Sequence, residues 1–83
     1  MTPIPGRFAG KTVIVTGAGA GIGSATAYRL LEEGARVVAS DLGEDRLAAL
    51  KAATSSSALV TIAGDISRQD TVQRILAACE ARV

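Results

Sequence analysis

The sequence predicts an α/β fold in which strands and helices alternate along the chain and the strands form a parallel sheet. Three short runs of β-branched and other apolar residues lie at 11–16, 36–40 and 58–63. Such runs are typical of strands that are buried on both faces. Helical segments separate the runs, so the order is β-α-β-α-β-α, which favours a doubly wound parallel sheet.

The first half of the chain begins with an irregular segment and then enters the first strand and helix. Residues 1–10 contain both prolines and two glycines, which predicts an irregular lead-in, and residues 11–83 form the α/β unit. The first helix is predicted over 22–33, and Gly34 ends it. Small residues on one helical face allow the helix to lie close to the sheet; this face carries Gly23, Ala27, Leu30 and Gly34.

The second and third helices are predicted from their apolar spacing. The second helix covers 43–53 and directs Leu47 and Leu50 inward. The third helix begins at Ser67, and Asp70 three residues later completes a capping box. Its predicted inward stripe consists of Val72, Ile75, Leu76 and Cys79. Cys79 is interpreted as a small core residue, because free cysteines are commonly buried.

The composition excludes several classes of function. The nine Lys and Arg residues are scattered and the formal net charge is +1, which argues against binding of nucleic acid. The sequence has no histidine and one cysteine, which excludes an intrachain disulfide, His-based nucleophilic catalysis and His-ligated metal sites. No apolar run approaches the roughly 20 residues that span a bilayer, and no signal peptide is recognised. A cytoplasmic protein without a metal site is expected.

The first predicted strand has an unusual position. The chain ends at Val83, where a fourth strand would begin, so the strand at 11–16 lies at the edge of a three-stranded sheet. An uncovered apolar edge pairs readily with another chain. We therefore expect either the remainder of a longer parent chain or a second copy of this chain to cover it, and we expect the isolated chain to be marginally stable.

The strongest motif is the sequence TGAGAGIG at 16–23, between the first strand and the first helix. Gly17 lets the chain turn off the strand, Gly21 lets the backbone approach a pyrophosphate, and Gly23 permits close packing of helix on strand. The helix N-terminus offers free N–H groups to phosphates. The spacing G-x-x-x-G-x-G indicates a dinucleotide site; the alternative is an ordinary strand–helix corner.

Two acidic residues follow the next two strands. Asp41 lies 20 residues after Gly21, where an acid accepts hydrogen bonds from the adenosine ribose; alternatively it caps the second helix. Asp65 follows the third strand, where it can contact the adenine edge while Ile66 packs on the ring; alternatively it caps the third helix. A carboxylate at the ribose favours NAD over NADP, and Arg46 is the one nearby base that can oppose this preference.

These motifs together resemble the N-terminal part of the short-chain dehydrogenase/reductase family. The resemblance implies a Rossmann-like fold, NAD as cofactor, and hydride transfer between NAD(H) and an alcohol or carbonyl substrate. Residues 11–83 would then form the N-terminal half of a dinucleotide-binding domain. The implied cofactor contacts run from the pyrophosphate through the ribose to the adenine: Gly17, Gly19, Ala20, Gly21 and Ile22, then Asp41 and Leu42, then Asp65 and Ile66.

The sequence lacks the residues that carry out catalysis in the family. The family's Asn-Ala-Gly segment, its catalytic Ser and its Tyr-x-x-x-Lys pair are not found here; Tyr28 is the sole tyrosine and Glu32 stands four residues on. No catalytic residue is therefore predicted in this chain, and no turnover is expected from it alone. The parent protein is expected to be a homo-oligomer. The alternative is a dinucleotide-binding module or truncated product with no activity of its own.

Overall fold

In the computed structural model, which describes residues 6–80, three parallel strands form one sheet in which the second strand along the chain lies between the first and the third. The register places Val13 beside Val37, and Val37 beside Leu59. The predicted alternation of strands and helices is confirmed. The elements in chain order are β1 (Thr12–Thr16), α1 (Gly21–Glu32), β2 (Arg36–Asp41), α2 (Glu44–Thr54), β3 (Leu59–Ala63) and α3 (Gln69–Glu80).

The main core lies between the sheet and the helices α1 and α2. Val37 and Ala39 of β2 are buried there with Leu47 and Leu50 of α2. Leu47 and Leu50 are thus confirmed as the inward face of α2, and they fix the rotation of that helix about its axis. Residues that alternate with Val37 and Ala39, such as Val38, point to the opposite face of the sheet.

Small residues bring α1 against β1, as the sequence predicts. A Cβ atom at Gly23 would collide with the carbonyl oxygen of Gly17, so only glycine permits this approach. Ala27, one turn further along the predicted face, is fully buried. Leu30 is partly buried against the same core, and Gly34 follows the helix end with φ of +92°.

The opposite face of the sheet is more open than the sequence predicts. Helix α3 lies against β2 and β3. Ile14 of β1 points away from the α1 face and is 43% exposed, so β1 is not covered on both faces by the described residues. The prediction of a strand buried on both sides is therefore wrong for β1, because the helix that crosses this face does not extend over the β1 edge.

Helix α3 differs from its prediction in start and in orientation. It begins at Gln69, because the Ser67 hydroxyl and N–H both donate to Oδ1 of Asp65 (2.7 and 2.9 Å), and the predicted capping box does not form. Asp70 instead pairs with Arg68 at 3.2 Å. Thr71 and Ile75 face the sheet and are buried, while the predicted inward residues Val72 and Leu76 are 39% and 50% exposed and Cys79 is partly buried.

A buried carboxylate joins the lead-in to the end of α1. Glu33 is 1% exposed and forms ion pairs with Arg29 and, at 3.1 Å, with Arg7. The Phe8 N–H donates to the Glu33 carbonyl oxygen at 2.9 Å. Residues 1–5, which include the two prolines of the predicted lead-in, lie outside the described residues. Glu33 thus fixes residues 7 and 8 against the amino-terminal end of the sheet.

Candidate functional site

A cleft of about 410 Å³ opens at the carboxyl ends of the three strands. Loops that follow β1, β2 and β3 form its walls. Ligands of open parallel sheets bind at this edge, because the loops after the strands meet there. The lining residues are Thr16, Gly17, Ala20, Asp41, Leu42, Arg46, Gly64, Asp65 and Ile66.

The structure brings most of the sequence-predicted site residues into this one cleft. Six of them line it: Gly17, Ala20, Asp41, Leu42, Asp65 and Ile66. Gly19 joins the cleft through a hydrogen bond from its N–H to Oδ2 of Asp41, 2.7 Å long. Gly21 and Ile22 do not line the cleft wall; they form the first turn of α1 beside it, and Ile22 is 87% exposed.

Two backbone N–H groups from different loops hold the Asp41 carboxylate. Oδ2 accepts from Gly19 at 2.7 Å, and Oδ1 accepts from Gly43 at 2.9 Å. The N–H groups of Gly43 and Gly19 hold the pKa of Asp41 below its usual value; burial opposes them, and the positive charge of Arg46 adds a smaller lowering. Asp41 does not cap α2, since Gly43 is the N-cap residue and α2 has no side-chain cap.

Asp65 is held in a similar way within its own loop. Its Oδ1 accepts from both the N–H and the hydroxyl of Ser67, and these two hydrogen bonds, with the Arg68 charge, lower its pKa. Its carbonyl oxygen accepts from the Arg68 N–H at 3.0 Å, which closes a turn ahead of α3. The side chain therefore orders the β3–α3 loop, and Oδ2 has no donor among the described residues.

The first turn of α1 presents backbone donors to the cleft side of the molecule. Its N-cap residue Ala20 is extended, makes no side-chain cap, and the first turn carries no acidic residue. Gly21 has a φ of +56°, and a Cβ atom there would meet nothing within 4 Å. The free N–H groups and the positive end of the helix dipole thus lie beside open space at Gly21.

Three lining residues were not among the predicted contacts: Thr16, Arg46 and Gly64. Gly64 follows β3, and a Cβ atom there would stand 2.7 Å from Nη2 of Arg74 and 2.8 Å from the hydroxyl of Thr71. Gly64 directly precedes Asp65 and Thr16 directly precedes the glycine motif. Both residues are therefore sequence neighbours of predicted contacts, and this position could have indicated them. The sequence identified Arg46 as a nearby base, although its place in the cleft wall depends on how α2 is rotated.

The chain is similar in sequence and structure to known proteins. Residues 11–83 match the family profile described as short chain dehydrogenase. The chain belongs to the short-chain dehydrogenase/reductase family. Glucose 1-dehydrogenase of Gluconobacter oxydans (strain 621H) is 46% identical over 78 residues, which cover 90% of this chain and 29% of that protein.

Solved structures of short-chain dehydrogenases share the fold. A glucose/ribitol dehydrogenase of Brucella melitensis superposes with a TM-score of 0.85 at 32% identity, over 95% of this chain and 34% of the other. A 3-ketoacyl-(acyl-carrier-protein) reductase of the same organism, complexed with NADH, gives a TM-score of 0.83 at 29% identity, over 92% and 31%. This short-chain dehydrogenase chain thus spans about a third of the length of the solved relatives, and the Rossmann-like fold is confirmed.

Residues 6–80 also bear on membrane and metal binding. No helix in this range is long and apolar enough to cross a bilayer. Within the same range, no group of three or more Cys, Asp or Glu side chains is arranged to hold a metal ion. The cleft at the carboxyl ends of the strands is the candidate ligand site because six of the sequence-predicted contacts line it.

Proposed function

We propose that this chain binds the adenosine and pyrophosphate half of NAD and contributes that half-site to a short-chain oxidoreductase. The observation that carries the proposal is the Asp41 carboxylate, which stands in the cleft wall at the end of β2 beside the glycine loop. A nicotinamide dinucleotide fits the donor and acceptor groups present at the ribose, pyrophosphate and adenine positions.

Asp41 retains the acceptor capacity that two ribose hydroxyls require. An ionised carboxylate has about four lone-pair sites, and the N–H groups of Gly19 and Gly43 use one on each oxygen. One lone pair per oxygen is left for the adenosine 2′- and 3′-hydroxyls. The lowered pKa keeps the carboxylate ionised at neutral pH, so it accepts from both hydroxyls at once.

The pyrophosphate is proposed to lie at the N-terminus of α1. The backbone from Gly17 to Ile22 borders this position, and Gly21 leaves an open space where a side chain would otherwise stand. Phosphate oxygens would accept from the free N–H groups of the first helical turn, and the helix dipole favours their negative charge. No acidic residue occupies that turn, so the dianion meets no local repulsion.

The adenine ring is proposed to lie between the loops that follow β2 and β3. Leu42 and Ile66 are 72% and 51% exposed, and both line the cleft. Covering two large apolar side chains with an aromatic ring is favourable, since their apolar surface then leaves water. Oδ2 of Asp65 can accept from the exocyclic amino group, because Ser67 occupies only Oδ1.

The hydride transfer itself is proposed for the whole protein. NAD would supply the hydride acceptor at its nicotinamide ring. Within residues 6–80, Tyr28 lies on α1 and packs against the core with Leu31, and Glu32 stands where a lysine partner would be needed. The proton-transferring groups and the substrate contacts are therefore proposed to come from outside this chain.

The open β1 edge is proposed as the place where further structure attaches. Ile14 is 43% exposed on the face that α3 leaves uncovered, and the outer side of β1 has no neighbouring strand among residues 6–80. A strand from the rest of a longer protein, or β1 of a second copy, would cover it. Sedimentation of the chain and of Ile14→Lys at several concentrations tests the pairing of two copies, and concentration-independent monomers of both would contradict that pairing.

Calorimetric titration with NAD tests the nucleotide proposal. Asp41→Asn removes the charge and one acceptor oxygen, so NAD affinity should fall about ten- to a hundredfold, on the basis of hydrogen bonds to charged groups. Asp45→Asn is the matched control, because Asp45 is exposed in the first turn of α2 and does not line the cleft. The proposal is wrong if NAD binds Asp41→Asn as tightly as the unsubstituted chain.

A further inference from the structure

A second cleft, of about 330 Å³, lies between the C-terminal ends of α1 and α2. Both helices end shortly before the next strand begins, so this cleft lies at the amino-terminal end of the sheet, opposite the proposed nucleotide site. The two clefts share no lining residue. The residues that line the second cleft are Tyr28, Leu31 and Glu32 of α1, Ala53 and Thr54 of α2, and Ser56 of the loop that follows.

An aromatic residue and a carboxylate stand one helical turn apart in the wall of the second cleft. Tyr28 and Glu32 are four residues apart on α1, a spacing at which side chains on a helix are neighbours. Neither the Tyr28 hydroxyl nor the Glu32 carboxylate has a hydrogen bond or an ion pair among the described residues. Arg29, the cation next to Tyr28 in the sequence, is paired with Glu33. The carboxylate of Glu32 is therefore available to a ligand.

Two helix ends add negative potential at the same place. The C-terminus of a helix carries the negative end of its dipole, and α1 and α2 end at Glu32 and Thr54, both of which line the second cleft. Lys51, one turn before the end of α2, is exposed and weakens this potential, but it does not line the cleft. The lining residues among the described part of the chain include no lysine or arginine. The second cleft therefore favours a cation over an anion.

The remaining lining favours an organic cation over a metal ion. Leu31 is partly buried against the core and, together with the ring of Tyr28 and with Ala53, supplies apolar surface beside the charge. Within residues 6–80, no group of three or more acidic or cysteine side chains is arranged to hold a metal ion. A hydrocarbon chain can cover apolar surface while its charged end stays at a polar group. An aromatic ring also attracts an organic cation that lies over its face.

We propose that the second cleft binds an alkylguanidinium or alkylammonium group, carried by a free small molecule or by a side chain of another polypeptide. The charged end pairs with Glu32 and lies against the ring of Tyr28, and the hydrocarbon arm covers Leu31 and Ala53. A guanidinium can donate two parallel hydrogen bonds to one carboxylate, which makes it the stronger of the two groups. The inference is independent of NAD binding, because the two clefts share no residue.

The test compares cations with neutral molecules of nearly the same shape. The first pair is n-butylguanidinium and n-butylurea, and the second is a capped alanine-arginine-alanine tripeptide and its citrulline counterpart. Each is titrated into the labelled chain while NMR follows the backbone amide signals of residues 28, 31, 32, 53, 54 and 56. Both cations should shift these signals in a saturable manner at millimolar concentration, and the neutral molecules should bind at least about threefold more weakly.

The comparison of the two cations distinguishes the source of the group. Tighter binding of the arginine tripeptide than of n-butylguanidinium assigns the cleft to a polypeptide side chain. Equal or weaker binding of the tripeptide assigns it to a free small cation. Added salt should weaken the binding of both cations and leave n-butylurea unaffected, because screening acts on charge.

Substitutions in the wall of the second cleft locate the interaction. Glu32→Gln should weaken n-butylguanidinium binding about two- to fivefold, the range for an exposed ion pair, and leave n-butylurea unchanged. Glu44→Gln is the matched control, because it removes the same charge from an exposed position in the first turn of α2, outside the cleft. Tyr28→Phe keeps the ring and should keep the affinity, whereas Tyr28→Leu should lower it by a similar factor.

Three results would overturn the inference. The first is that the neutral molecules bind as tightly as the cations. The second is that Glu32→Gln leaves the ratio of n-butylguanidinium to n-butylurea affinity unchanged; because Glu32 is exposed and has no partner among the described residues, this variant should fold as the unsubstituted chain does. The third is that none of the four molecules shifts the amide signals of the second cleft.

Discussion

Two carboxylates at opposite ends of the sheet show how a similar group becomes a binding element or a structural one. Asp41, at the carboxyl end, is partly exposed in a cleft and is held by the N–H groups of Gly19 and Gly43. Glu33, at the other end, is buried and is held by the guanidinium groups of Arg7 and Arg29.

The difference between these carboxylates lies in what holds them. Backbone N–H groups are fixed by the strands and loops, so they orient Asp41 and leave lone pairs facing the cleft. Arginine side chains enclose Glu33 and exclude water from it, with 2% of its side chain exposed. A carboxylate of the first kind can bind a ligand, and one of the second kind joins two segments of the chain.

The largest expected effect on folding comes from the buried carboxylate. Glu33→Gln removes the charge between two guanidinium groups, and we expect it to lower the free energy of unfolding by about 1–3 kcal/mol. This is below the roughly 3–5 kcal/mol typical of a broken buried pair. The reason is that Arg7 and Arg29, with 44% and 28% of their side chains exposed, remain hydrated.

Urea denaturation of Glu33→Gln and Asp41→Asn compares the contributions of the two carboxylates to stability. Asp41→Asn should lower the free energy of unfolding by about 1 kcal/mol or less, as typical for a single partly exposed hydrogen-bonded group. An equal loss of unfolding free energy in the two variants, or a larger loss for Asp41→Asn, would show that Glu33 contributes no more to stability than Asp41 does.

A smaller effect is expected on the pH dependence of stability. Backbone N–H groups lower the pKa of Asp41 from 3.8, and Ser67 lowers that of Asp65 in the same way. A carboxyl with a lowered folded-state pKa stabilises the fold at pH above its unfolded value, and this contribution is lost as the pH falls through the folded value. Stability should therefore decline below about pH 4.

Urea midpoints measured from neutral pH down to about pH 2.5 test this dependence. Asp41→Asn should show a shallower decline than the unsubstituted chain, and Asp45→Asn, whose carboxyl is exposed on α2, serves as the control. Parallel declines in Asp41→Asn and the unsubstituted chain would mean that the backbone N–H groups do not favour the ionised form of Asp41.

Local sequence patterns were sufficient to predict the strands and the glycine turn. The β-branched runs and the glycines at 17, 21 and 23 act through their own backbone conformations and through close neighbours. Asp41 and Asp65 could be placed in one cleft because the carboxyl ends of parallel strands meet at one edge of the sheet. These features depend on contacts that the order of elements already determines.

Features that depend on neighbouring elements could not be predicted. The apolar spacing of α3 correctly predicted Ile75 as an inward residue, but it also predicted Val72 and Leu76, which are exposed. Thr71 packs on the sheet in their place, because the tilt of α3 over β2 and β3 decides which side is covered. A glutamate at a helix end, such as Glu33, gives no sign of burial, because its partner Arg7 lies 26 residues earlier in the chain, although Arg29 is a local partner one helical turn away. Only the fold shows that Arg7 lies beside Glu33.

The central claim is that the cleft at the carboxyl ends of the strands binds NAD through Asp41, and a backbone NMR titration of the chain with NAD tests it directly. Amide signals of 17–22, 41–43 and 64–66 should shift in a saturable manner, while those of Arg7, Phe8 and Glu33 at the opposite end should not. The Asp41→Asn variant should need an NAD concentration at least about ten times higher to produce the same shifts. Saturable shifts confined to the Glu33 end, or none anywhere at millimolar NAD, would contradict the claim.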